Sequence, residues 1–347
     1  MFWIIGADSL VAGLEKISSG GPIQLVAEQL EHSAWEGFNF EDLIFPLFVF
    51  ITGILVVFAT SQSDQRPARR AAIWRIFRRA ILLYLFGILY YGGFATSFLD
   101  IRLLGVLQRI ALCYLVAALL FLYLRPRYVA GVCAGLLIGY WAMMTFIPVP
   151  VFGSGNFGEG KNLANYLDAQ FLPLRKWDGD HDPEGLLSTL PAIATCLLGV
   201  LAGLLLKSKS HSDQAKVLWL VGAGAAGVLA GWFWGLQFPV VKKIWTSSYV
   251  LVAAGYSALL LALFYQVIEI WKWKGWATPF VWIGTNSIVI YMAANLIDFQ
   301  RIARRIAGGD VERLLGDYGT LAIAIVGLML ELWCLRFLYR HKIFLRL

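Results

Sequence analysis

Charge is scarce in this sequence: Asp, Glu, Lys and Arg make up only 15% of its 347 residues, against about 25% in soluble domains. With 59% hydrophobic residues and a mean hydropathy of +0.69, that shortage excludes an ordinary soluble enzyme. Cysteine is sparse too. The four present (Cys113, Cys133, Cys196, Cys334) lie in apolar stretches without CxxC spacing, so they imply neither a disulfide framework nor a zinc site. Neither a Walker A lysine motif nor a GxSxG elbow occurs, which leaves soluble-type cofactor folds unsupported. No internal repeat is evident.

What the sequence has in plenty is continuous apolar runs of membrane-spanning length. These predict spans near residues 1–17, 42–62, 73–94, 103–124 and 128–147, then 186–206, 217–236, 247–270, 278–297 and 317–339. The runs are unbroken rather than alternating, which excludes a closed β-barrel. The expected fold is therefore all-α, a polytopic transmembrane bundle of about ten helices in a lipid bilayer, forming one domain over 1–347. The net charge of +7 and pI near 9.2 reflect basic residues in the short connections, which reads as topology and not as nucleic-acid binding. The most basic connection (Arg66, Arg69, Arg70, Arg75, Arg78, Arg79) sets the cytoplasmic side. Arg125, Arg127, Lys207, Lys209, Lys272, Lys274 and the tail from Arg340 then fall inside, with Arg301, Arg304 and Arg305 as an outside exception.

Two outer segments, 18–41 and the glycine-rich 148–185, are long enough to carry structure of their own. The start has neither a basic flank nor a small-residue cleavage site, so it does not read as a signal peptide; the first helix is expected to be truncated at its N-terminus.

Ionisable groups near the membrane need a partner or a cavity, and they are few. Asp8 falls in the first span. Asp42, at the start of the second, reads equally as a helix cap and as a catalytic acid. His32, in Glu31-His32-Ser33-Ala34-Trp35-Glu36-Gly37, is either an ordinary loop histidine or a base able to exchange protons near neutral pH. Arg109, beside Gln108, wants a carboxylate, a carbonyl or an anionic ligand. Asn286 either joins helices or lines a site. The stretch Trp177-Asp178-Gly179-Asp180-His181-Asp182-Pro183-Glu184 fits no calcium or zinc spacing and reads as a turn and helix cap; no metal is expected.

Taken in order along the chain, His32-Ser33-Ala34-Trp35-Glu36-Gly37, Asp42-Leu43-Ile44-Phe45-Pro46, Gly105-Val106-Leu107-Gln108-Arg109, Asp182-Pro183-Glu184-Gly185, Trp245-Thr246-Ser247-Ser248-Tyr249, Asn286-Ser287 and His341-Lys342-Ile343-Phe344 give the sequence a recognisable signature. It resembles the heparan-α-glucosaminide N-acetyltransferase family, a branch of the transmembrane acyltransferases. The resemblance implies an acetyltransferase that takes acetyl-CoA from the cytoplasm and acetylates a glucosamine-type amine on the other side. It also implies His32 as the catalytic histidine and a possible homodimer. Asp8 stands where the family commonly has an asparagine. The lysosomal members carry a luminal domain and an extra helix before this core, so the reading here is a bacterial homologue in the inner membrane, acting on an amino sugar or glycan.

Chemically, His32 could serve as base or be acetylated itself, with Asp8 or Asp42 orienting the ring. Arg109, Gln108, Trp35 and Asn286 would bind substrate or thioester. Arg78 and Arg79, with Arg75, would meet the nucleotide phosphates unless they only set topology. The alternatives are an amino-sugar transporter and an O-acetyltransferase of an envelope polysaccharide.

Overall fold

The computed structural model describes residues 6, 9–11, 13–14, 17, 21–60, 66–93, 95 and 97–345, with backbone alone for 22–23 and 66–68. Among them regular structure is helical, with only isolated bridges otherwise. In chain order the main helices are α1 (Pro22–Gln29), α2 (Phe40–Thr60), α3 (Arg66–Tyr90), α4 (Val106–Tyr123), α5 (Pro126–Phe146), α6 (Leu163–Phe171) and α7 (Thr189–Lys207). They continue as α8 (Asp213–Gly235), α9 (Ser247–Tyr265), α10 (Thr278–Thr285), α11 (Ser287–Leu296), α12 (Phe299–Ala307), α13 (Asp310–Leu315) and α14 (Gly319–Arg340).

Every expected span from residue 42 onward has a helix, and the span at 1–17 falls largely outside the described residues. Seven described helices are long and apolar enough to cross a membrane, or eight if α10 and α11, bent by 68° at Asn286, make one span. The chain is a multi-pass helical membrane protein. α3 is 25 residues long, but Arg75, Arg78 and Arg79 within it keep it out of that count.

The chain packs as two compact units: the described residues of Met1–His32, Asn39–Ile44 and Lys272–Arg346, and Ser33–Phe38 with Phe45–Trp271. In the second unit, α2 and α7 cross at backbone contact. A Cβ at Gly53 would lie 1.9 Å from the Cys196 carbonyl oxygen, and one at Gly199 would lie 1.9 Å from that of Phe50. Lipid offers no hydrophobic force between helices, so such small-residue crossings hold a bundle through close packing. The core beside this crossing gathers Val49, Ala117, Cys133, Cys196, Val200 and Tyr249 from five helices.

In the first unit, α12 lies on α14 through Ala303, Ala307 and Ile323. Arg301, Arg304 and Arg305 occupy its exposed face. These arginines, the exception to the expected positive-inside pattern, belong to an amphipathic helix and not to a simple connection.

Gly153-Ser154-Gly155-Asn156-Phe157-Gly158 has GxGxxG spacing, but no strand precedes it and α6 begins only at Leu163. It is a loop without the strand–turn–helix context of a dinucleotide site.

Candidate active site

In the first unit the central pair is His32 and Asp42. Asp42 sits in the opening turn of α2, and two hydrogen bonds fix it there. The Asn39 backbone N–H donates to Asp42 Oδ2 at 3.0 Å, and the Asp42 N–H donates to the Asn39 carbonyl at 3.0 Å. The carboxylate thereby satisfies the Asn39 N–H, one of the otherwise orphan donors at a helix start, as the acid of a capping box does. The Asn39 side chain ties the same turn back to the Glu28 and Glu31 carbonyls at 3.0 Å each. The other carboxylate oxygen, Oδ1, lies 3.2 Å from His32 Nδ1. The Asp42 side chain is fully buried while that of His32 is 58% exposed. One carboxylate thus caps a helix and stands beside an imidazole, so the two roles open for it in the sequence are compatible. With the proton on Nδ1, facing the carboxylate, the Nε2 lone pair is the one left to act as a base.

Asn286 also belongs to this unit. It is 2% exposed, lies at the break between α10 and α11, and has no hydrogen-bond partner for either side-chain amide atom among the described residues. A buried amide left so costs about 1–3 kcal/mol. Asp8 lies outside the described residues.

In the second unit, Arg109 is fully buried on the first turn of α4. Its Nη2 donates to Ser188 Oγ at 2.5 Å and to the Gly185 carbonyl at 3.4 Å, and its guanidinium carbon stands 4.9 Å over the Trp245 ring. Trp245 holds a left-handed backbone (φ 51°), unusual for a bulky residue, with its indole N–H given to Thr195 Oγ1 at 3.1 Å. Nε and Nη1 of Arg109 have no partner among the described residues. A buried cation with two donors to spare is suited to a carbonyl or an anion. Gln108, also buried, donates to the Arg102 carbonyl at 3.3 Å.

Trp35 donates its indole N–H to the Phe157 carbonyl at 3.1 Å, and the Gly37 N–H pairs with the Val240 carbonyl at 2.9 Å, fastening Ser33–Phe38 to the loops that carry Phe157 and Val240 in the second unit. On α3 the two rim arginines diverge. Arg78 is exposed, whereas Arg79 is half-buried and reaches over the Tyr114 ring at 4.9 Å. Tyr114 follows Arg109 by five residues on α4, about 7.5 Å of helix rise.

The sequence reading missed a second buried network. Arg102 is 4% exposed and grips Asp182 (Nε to Oδ2 2.8 Å, Nη2 to Oδ1 2.6 Å) and Glu184 (2.5 Å), while lying over the Tyr91 and Trp177 rings. Asp182 and Glu184 therefore clamp an arginine and do not cap the following helix, whose N-cap is Ser188. Asp168 on α6 closes the same turn, accepting the Leu186 N–H at 2.8 Å and the Asp182 N–H at 3.4 Å. A Cβ at Gly185 would fall 1.9 Å from the Asp168 carboxylate, so only glycine fits. Burial pushes the Asp168 carboxyl up to about 6, against the pull of those two N–H groups. Burial likewise raises the Tyr91 hydroxyl to about 12. Only an arginine, a tyrosine and well-separated acids in loops could have signalled this network.

No protein-family model matches the chain. It is 28% identical to the heparan-alpha-glucosaminide N-acetyltransferases of Homo sapiens and of Mus musculus, over 77% of this chain and 49% of each relative. The chain therefore spans about half the length of the curated relatives it matches. The similarity supports the family resemblance that the ordered motifs carry.

Proposed function

We propose that this chain is a transmembrane acetyltransferase that carries the acetyl group of cytoplasmic acetyl-CoA to the amine of a glucosamine-type sugar or glycan on the opposite face of the bilayer. The observation that carries this reading is the buried Asp42 carboxylate, held by the Asn39 N–H and 3.2 Å from the His32 ring. An acid–imidazole pair of this kind supplies a base whose tautomer and orientation are set beforehand.

In the proposed reaction the neutral amine nitrogen attacks the thioester carbonyl carbon. His32 Nε2 takes the proton the nitrogen sheds, and Asp42 stabilises the resulting imidazolium. The tetrahedral intermediate collapses with cleavage of the C–S bond, and the leaving thiolate receives the proton from Nε2. The products are an N-acetyl sugar and CoA thiol. The buried Asn286 amide, in the same unit as His32, would donate to the developing oxyanion. If His32 is acetylated first, the same pair serves in two steps, with the amine attacking acetyl-imidazole.

The test uses purified protein, radiolabelled acetyl-CoA and glucosamine. Wild type is expected to form N-acetylglucosamine, and His32→Ala is expected to lose transfer while retaining CoA binding and the same melting temperature. Turnover in His32→Ala equal to wild type removes the imidazole from the chemistry. A second reading, an amino-sugar transporter, draws on the broken helix pair at Asn286, because discontinuous helices line many transport sites. Sugar flux without acetylated product would favour it.

A further inference from the structure

Outside the proposed acetyl-transfer site, the second unit holds a cluster whose chemistry no step above uses. Glu159 comes from the outer loop after α5, and Asp178 and His181 from the turn before α7. One ligand atom from each lies within 4.8 Å of the other two. The His181 side chain is 6% exposed. Its Nδ1 lies 2.6 Å from Asp180 Oδ1, and in the neutral ring with its proton on Nδ1 the Nε2 lone pair points inward. Nε2 has no hydrogen-bond partner among the described residues, yet it faces Glu159 Oε1 at 3.8 Å and Asp178 Oδ2 at 3.7 Å.

A lone pair facing two carboxylate oxygens is repulsive unless a cation lies among them. Part of that need is met by Lys243, whose ammonium sits 2.8 Å from Glu159 and 3.0 Å from Asp178. The lysine side chain is 35% exposed and arrives from a loop, so it can swing to solvent. It answers the carboxylates but leaves Nε2 without a donor.

We infer that Glu159, Asp178 and His181 form a binding site for a divalent transition metal of the zinc class, with Lys243 as the displaceable cation. Two carboxylate oxygens and one imidazole nitrogen, plus a water, complete the four-coordinate set such ions favour. The carboxylate on the far ring nitrogen, here Asp180, is the usual outer partner of a metal-bound histidine. Tetrahedral zinc ligands sit about 3.3 Å apart, so the cluster must contract, which the half-exposed Glu159 side chain allows. Bound metal would tie the glycine-rich loop to the turn that carries the Arg102 clamp. This goes beyond the acetyltransferase reading and is tested without it.

The experiment titrates cobalt(II) into the purified, chelator-stripped full chain and reads the visible d–d band of low-coordinate cobalt, with zinc as competitor. The wild type is expected to bind one equivalent that zinc displaces. Lys243→Met should tighten binding by about tenfold, the scale of removing a cation held by two ion pairs. Asp180→Asn should weaken it about 10–100-fold, and His181→Ala should abolish the band. Lys243 and Asp180 are the partly and largely exposed members of the cluster, so their variants decide the matter should His181→Ala not fold. No band in wild type or Lys243→Met, or a band indifferent to both Asp180→Asn and His181→Ala, overturns the site and leaves a lysine-closed ion cluster.

Discussion

At the residue scale the account rests on Asp42 doing two things with two oxygens. Asp42→Asn keeps an acceptor for the Asn39 N–H but loses the charge that orients and stabilises the imidazolium. Its turnover should fall by about 10²–10⁴-fold with little change in melting temperature. Asp42→Ala should lose the cap as well, a further cost of about 1 kcal/mol seen as a lower melting temperature. Equal turnover in wild type and Asp42→Asn would reduce the carboxylate to a helix cap. Asp168 gives a pH prediction. Its folded-state carboxyl is raised to about 6 while the unfolded one stays near 3.9. The folded protein therefore holds this proton longer, and the contribution is most favourable below about pH 4. It is lost as pH rises from about 4 to 6, by about 3 kcal/mol in all. The melting-temperature difference between wild type and Asp168→Asn should move against wild type over that window and be flat above it; a flat difference throughout would contradict the burial argument. His32 and Asp42 were legible in the sequence because they lie ten positions apart in one segment. Arg102 with Asp182 and Glu184 was not, because partners some 80 residues apart leave no local spacing to read.

At the scale of elements, apolar run length located the helices, and small residues decide how two of them cross. Gly53→Ala would drive a methyl into the Cys196 carbonyl, so α2 and α7 must separate. The expected loss is about 1–3 kcal/mol, read as a lower melting temperature in detergent. The break at Asn286 shows which link run length cannot supply. An interrupted apolar stretch of 278–297 reads as one span, yet α10 and α11 meet at 68° with the buried amide at the vertex. Asn286→Ala removes two unpartnered polar atoms and should leave stability equal or higher, while acetyl-CoA-dependent turnover falls. A variant with unchanged turnover would make the break a packing feature alone. The arginines of α12 were legible as charge but not as a helix face, because their meaning depends on Ala303 and Ala307 packing on α14.

At the scale of the molecule, composition was sufficient to establish a helical membrane protein, and the ordered motifs pointed to the family that the 28% identical relatives support. What composition could not show is the chemistry collected by folding. Arg109, Ser188, Gly185 and Trp245 come from three stretches of the second unit, and the Glu159–Asp178–His181 cluster from two. The central claim is that an imidazole held by Asp42 completes an acetyl transfer whose donor and acceptor approach from opposite faces of the membrane. The most direct measurement places radiolabelled acetyl-CoA on one side only of sealed proteoliposomes with glucosamine on the other. The account predicts N-acetylglucosamine on the acceptor side with wild type and none with His32→Ala. Product only when donor and acceptor share a compartment, or undiminished product with His32→Ala, would contradict it.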